Sequence, residues 1–175
     1  MITANDTESI YTRIEKDAFL WLEQAEGSLI SADVIFGALT EVLPMSQTIP
    51  GIREKKLAYI HSYMLLTALA FESVLKGLAV AKKVDWRSLK NDGGHGISDY
   101  ARRLATISDA QFELLKRLQE YLVWVGRYVI PMSSGRYAKA DKEKLRSFRV
   151  EDQTTAVTLF ERLKQELCVN ARQKT

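Results

Sequence analysis

The chain has 175 residues, 46% apolar and 27% charged, with a formal net charge of +3. That length is near the size of one domain and the balance is that of a globular protein, which excludes a disordered or fibrous chain. A single cysteine, Cys168, excludes an intrachain disulfide and a thiolate metal cluster. No basic leader precedes an apolar run and no stretch of about 18 uninterrupted apolar residues occurs, so a cytoplasmic location without membrane contact is the expectation.

The first predicted element is a long amphipathic helix over 7–43, with Ile14, Ala18, Trp21, Leu22, Ala25, Leu29, Ala32 and Phe36 on one stripe. Pro44 and Pro50 bracket a polar loop, because proline lacks the amide a helix interior needs. A second helix over 52–84 follows, its stripe running through Leu57, Ile60, Met64, Ala68, Phe71, Leu75 and Leu78. Its small residues (Ala68, Ala70, Gly77, Ala79, Ala81) suit a closely packed central helix. The glycine-rich stretch 90–96 predicts a loop, and 98–106 a short third helix. Ser108 with Gln111 reads as a capping box opening a fourth helix that runs to about 129. A basic segment, 133–150, and a last helix over 151–171 complete the chain. No strand alternation and no internal repeat is present, and the fold expected is an all-α, antiparallel up-down bundle of four to five helices in one domain.

Charge is divided unevenly along this plan. Segment 133–150 holds six basic residues (Arg136, Lys139, Lys142, Lys144, Arg146, Arg149) against Asp141 and Glu143, whereas the first 41 residues hold eight acids against Arg13 and Lys16. The basic segment therefore either docks on the acidic first helix or attracts an acidic partner.

Familiar catalytic templates are absent. His61 and Glu72 fall on one helical line, but 11 residues is about 16 Å of rise, too far to share a reacting atom; Glu72 is expected to pair instead with Lys76 one turn on, and His61 to be packed or interfacial. His95 sits among Asp92, Gly93, Gly94 and Gly96, a spacing that is neither a P-loop nor a dinucleotide fingerprint. Two histidines and one cysteine make no metal site, and neither a metal nor a cofactor is expected. On the fourth helix Tyr121, Trp124 and Tyr128 line up beside Arg127. That stripe either stacks a base and holds a phosphate, as single-stranded nucleic acid is gripped, or completes the core or a dimer interface.

Three segments together resemble the HEPN superfamily of helical domains found in prokaryotic toxin–antitoxin, phage-defence and RNA-processing systems. They are Phe19-Leu20-Trp21-Leu22-Glu23-Gln24-Ala25, the Ala70-Phe71-Glu72-Ser73-Val74-Leu75-Lys76-Gly77-Leu78 pattern, and the run from Gly94 to Leu104. The resemblance covers roughly 15–132, leaving 133–150 and the last helix appended. It implies a cytoplasmic homodimer that binds RNA, a nucleotide or an antitoxin-like protein partner, with Arg127, Tyr128, Trp124, Glu72, Lys76 and His95 as binding residues. Active members carry an arginine followed four to six residues later by a histidine. Arg127 occupies the arginine's place, but Met132, Ser133 and Ser134 stand where the histidine belongs. Metal-free RNA cleavage needs a group to move the 2′-hydroxyl proton as well as a cation at the phosphorane. The expectation is thus a non-catalytic binding module; the alternatives are an atypical metal-independent endoribonuclease using Arg127 with His95 or Tyr128, and a structural adaptor assembled through its acidic and basic parts.

Overall fold

In a computed structural model of the chain, the residues described are 12–13, 15–89, 96–125 and 133–173. They are all-helical, with no strand among the described residues. The elements are α1 (Ala18–Val42), α2 (Ile52–Ala81), a 3-10 turn (Trp86–Leu89), α3 (Ile97–Leu104), α4 (Asp109–Glu120), a π-helical turn (Tyr121–Val125), α5 (Ser134–Lys142) and α6 (Asp152–Arg172).

Several boundaries differ from the sequence expectation, each for a local reason. The expected first helix is interrupted: residues 12, 13 and 15 are helical, 7–11 lie outside the described residues, and α1 begins anew at Ala18, because extended Asp17 caps it by accepting from the amides of Phe19 (2.9 Å) and Leu20 (3.4 Å). Helix α2 starts after Gly51, whose φ of +79° suits glycine. It stops at Ala81 rather than Val84, since Lys83 turns left-handed (φ +60°) and the Val84 amide bonds back to the Ala79 carbonyl. The Ser108–Gln111 capping box opens α4 as the sequence predicts. That helix does not continue as α-helix to 129: it gives way to the π turn at Tyr121, and 126–132 lie outside the described residues. The basic segment 133–150, expected as an appendage with no helix assigned to it, contains α5, capped by Ser133 through the Arg136 amide (3.3 Å).

Helices α1 and α2 form an antiparallel hairpin. Phe36 meets Tyr63, Lys76 lies by Trp21 at the far end, and Lys56 Nζ closes the connection by donating to the carbonyls of Leu43 (2.8 Å) and Met45 (2.6 Å). Helix α6 runs parallel to α2, as the Phe71–Phe160 edge contact at 6.1 Å and the nearness of Gly77 to Leu167 show. One core built from Ala25, Met64, Ala68, Phe71, Leu75, Leu115, Leu118, Leu159 and Leu163 joins α1, α2, α4 and α6, with Tyr100 of α3 against it. Helix α2 is long and apolar enough to cross a membrane by length and composition, yet 67% of its most apolar stretch is buried against the rest of the chain.

Gly77 is where this packing is tightest. A Cβ there would meet Leu167 Cδ1 at 2.8 Å and the Ala18 carbonyl and Trp21 Cβ at 3.0 Å, whereas a Cβ on Gly37 meets nothing within 4 Å. Gly77→Val is expected to lose about 1–3 kcal/mol by overpacking, and Gly37→Ala to gain up to about 1 kcal/mol through helix propensity; urea unfolding of the two variants against the parent checks both signs.

Candidate functional site: a cationic flank on a buried ionic footing

Of the six expected binding residues, Glu72 and Lys76 are the two whose side chains lie among the described residues. Arg127, Tyr128 and His95 lie outside the described residues, as does the Trp124 side chain, although the backbone of Trp124 belongs to the π turn. Tyr121 is a core residue, 1% exposed, whose hydroxyl donates to the Arg146 carbonyl at 2.9 Å. His61 is not packed in the core: it is an exposed residue whose ring stands edge-on to Tyr121 at 5.8 Å, and the desolvation of that contact lowers its pKa below the ordinary histidine value.

Glu72 and Lys76 do pair, at 2.9 Å, and both side chains are largely enclosed. The Lys76 ammonium sits 4.7 Å from the ring centre of Trp86 and 5.3 Å from that of Trp21, while the two indoles meet edge to face at 6.0 Å. The indole of Trp21 donates to the Glu15 carbonyl at 3.0 Å. This cluster clamps α1, α2 and the 3-10 turn together, joining two of the three segments that carry the family resemblance.

The open chemistry lies on the other flank, where segment 133–150 is fastened at both ends. At the first end, Arg136 forks onto buried Glu120 (Nε–Oε2 3.1 Å, Nη2–Oε1 3.0 Å). At the second, Arg117 of α4 makes a bidentate pair with Asp152 of α6 (2.5 and 2.6 Å), both side chains being less than a tenth exposed. Asp152 also accepts the Arg149 amide at 3.0 Å, and Arg117 donates to the Ser147 carbonyl at 3.4 Å. Between the two fastenings, Ala140 and Leu145 pack on Val123 and Val125 of the π turn. Sequence reasoning missed both fastenings, because Glu120 and Arg117 look like solvent-face residues of an amphipathic helix until their partners are placed.

Four of the segment's charges are consumed locally: Arg136 by Glu120, Arg146 and Asp141 by each other (2.6 Å), and Glu143 by Lys116 (3.2 Å). Arg146 additionally lies 4.6 Å from the ring centre of Tyr137, itself 42% exposed. Lys139, Lys142, Lys144 and Arg149 are exposed and, among the described residues, none has an ion-pair partner. No described ion pair joins the segment to α1, so within the chain it is anchored on α4 rather than docked on the acidic first helix. Beneath α5 two polar clefts of about 360 and 260 Å³ share Gln119, Glu120 and Lys139. Ser98 reaches the second, its amide (3.3 Å) and hydroxyl (2.9 Å) both donating to Gln119 Oε1. No group of three or more metal-ligating side chains occurs among the described residues.

The molecule is thus an all-helical protein with a cationic, aromatic-bearing flank. No protein-family model matches the chain, and no curated protein or solved structure is significantly similar to it.

Burial pushes the Tyr121 phenol up to about 12, with the charge of Asp152 adding to it and those of Arg117 and Arg146 opposing; Tyr63 is likewise pushed up to about 12, mainly by burial. An unfolded tyrosine ionises near pH ~10, so the stability these phenols contribute is complete below that pH and is lost as the pH rises towards about 12. Urea midpoints at pH 8 and pH 11 are expected to fall more steeply for the parent than for Tyr121→Phe; equal falls would show that Tyr121 is not protected in the folded state.

Proposed function

We propose that the chain is a HEPN-like, up-down helical bundle that acts as a non-catalytic, cytoplasmic RNA-binding module, working as a homodimer in a prokaryotic defence or stress system. The observation that carries the binding is the set of four exposed cations in segment 133–150, Lys139 and Lys142 of α5, Lys144 of the turn after it and Arg149 before α6, which neutralise no carboxylate among the described residues and share the segment with exposed Tyr137. Lysines and arginines at the edge of an aromatic ring suit a flexible polyanion whose phosphates they neutralise and whose bases stack, without reading sequence. Glu151 is the one nearby acid without a pair among the described residues, so the flank keeps its positive sign. The family part of the reading is supported by the order of elements, two long helices then a short one and a capped fourth, and by the convergence of Trp21, Glu72 and Lys76.

Lys144 offers a clean test. Its backbone is left-handed (φ +53°), a conformation that costs glycine nothing, so Lys144→Gly removes a cation while easing the fold. With about four phosphates engaged, the logarithm of affinity for a labelled single-stranded RNA is expected to fall with the logarithm of salt at a slope of about −3. Lys142→Gln with Lys144→Gly is expected to bring the slope to about −1.5. Arg127→Ala should weaken binding as well, and RNA incubated in EDTA should be recovered intact. Affinity insensitive to salt, or untouched by the Lys142/Lys144 variant, overturns the reading.

A further inference from the structure

Helix α1 presents a second unpartnered surface of opposite sign. Along its 25 residues there are four acids and no base. Glu26 pairs with Lys164 of α6, while Glu23, Asp33 and Glu41 are exposed and have no ion pair among the described residues. Between these acids runs an apolar stripe that nothing among the described residues covers: Leu20 is 40% exposed, Ile30 66% and Val34 69%. Ile30 and Val34, one turn apart, are more exposed than any other large apolar residue of the helix. An apolar ridge edged by unpaired carboxylates fits an occupant that brings both cations and apolar surface.

A second α1 is a poor occupant. Two such faces meeting about a two-fold axis would gather six unpaired carboxylates and no cation, a repulsion that a partly dried interface strengthens. The α5 flank of another copy has what the ridge lacks. It carries Lys139, Lys142, Lys144 and Arg149 with exposed Tyr137 (42%) and Val150 (53%) among them. Within one chain the two surfaces stay apart, since α1 packs on α2 and α6 whereas α5 packs on the π turn and is tied to α4. The geometry points to a heterologous, head-to-tail contact in which the α1 ridge of one copy receives the α5 flank of the next. Such a contact places different surfaces of two copies against each other and leaves one of each free at the ends, so the assembly grows with concentration. It goes beyond RNA binding but draws on the same four cations, so RNA would compete with it, and sedimentation of RNA-free protein tests it apart from that reading.

The test is complementation by charge reversal. Glu23→Lys with Glu41→Lys makes the ridge basic, and Lys139→Glu with Lys142→Glu makes the flank acidic; all four positions are exposed, and far-ultraviolet circular dichroism confirms that each variant is folded. By sedimentation equilibrium the parent is expected to exceed the mass of an isologous dimer as concentration rises at about 0.05 M salt. At about 0.5 M, where the screening length is about 4 Å, that growth should be lost. Neither variant should grow alone, whereas an equimolar mixture should regain assembly, because each supplies the half the other lacks. A parent whose mass never grows, growth that survives high salt, growth by either variant alone, or a mixture that stays unassembled each overturns the inference.

Discussion

Arg117 and Asp152 form the contact on which the arrangement of the cationic flank depends. Removing both ions from water costs several kcal/mol, and a bidentate geometry with further hydrogen bonds is what offsets that cost. Both conditions are met: the two guanidinium bonds are 2.5 and 2.6 Å, Asp152 takes the Arg149 amide, and Arg117 reaches the Ser147 carbonyl. The pair therefore fixes the chain at 147–152 against α4 and sets where α6 begins. A hydrophobic pair of similar volume could hold α4 to α6 equally well; it could not also hold the backbone that leads into α6.

With that end fixed, the rest of segment 133–150 has little freedom. Arg136 on Glu120 sets its beginning, the Tyr121 hydroxyl takes the Arg146 carbonyl in the middle, and Ala140 and Leu145 close the small core above the π turn. The two buried fastenings use arginines, whose forked guanidinium suits a carboxylate, and three of the four cations left outward are lysines, compact charges on flexible stems. The same division separates structure from proposed function: the forks build the platform, and the free ammonium groups face whatever binds it.

The parts of this arrangement that were legible in the sequence are those decided by near neighbours. Ser108 and Gln111 announced a capping box, Pro44 and Pro50 bounded a loop, Glu72 and Lys76 paired one turn apart, and the apolar stripes of α1, α2 and α6 face the core over most of their described length, with Leu57 near the start of α2 left exposed. The parts that were not legible depend on distant partners or on competition at a helix end. Asp17 lies in an uninterrupted helical pattern, and only its side chain, taking two amides, shows that α1 starts after it. Lys83 ends α2 in a left-handed turn where glycine is the usual signal. Helix α5 has a weak apolar face, with Ala140 its one buried residue, so its sequence reads as a solvated basic run. Of the site, the charge excess and the aromatic within it were visible, but which cations remain unpaired was not, because Glu120 is 16 residues from Arg136 and Asp152 is 35 from Arg117.

The central claim is that a buried ion pair, and not the basic residues themselves, holds this flank in shape. Amide hydrogen exchange across 133–152 in Asp152→Asn, set against the parent, tests it most directly. The amides of Lys144, Leu145 and Ser147, which bond locally to Asp141, Ala140 and Lys144, are expected to lose protection well beyond the change seen in the α1–α2 hairpin. Unchanged protection at those three amides, with the loss spread evenly through the molecule, would contradict the account.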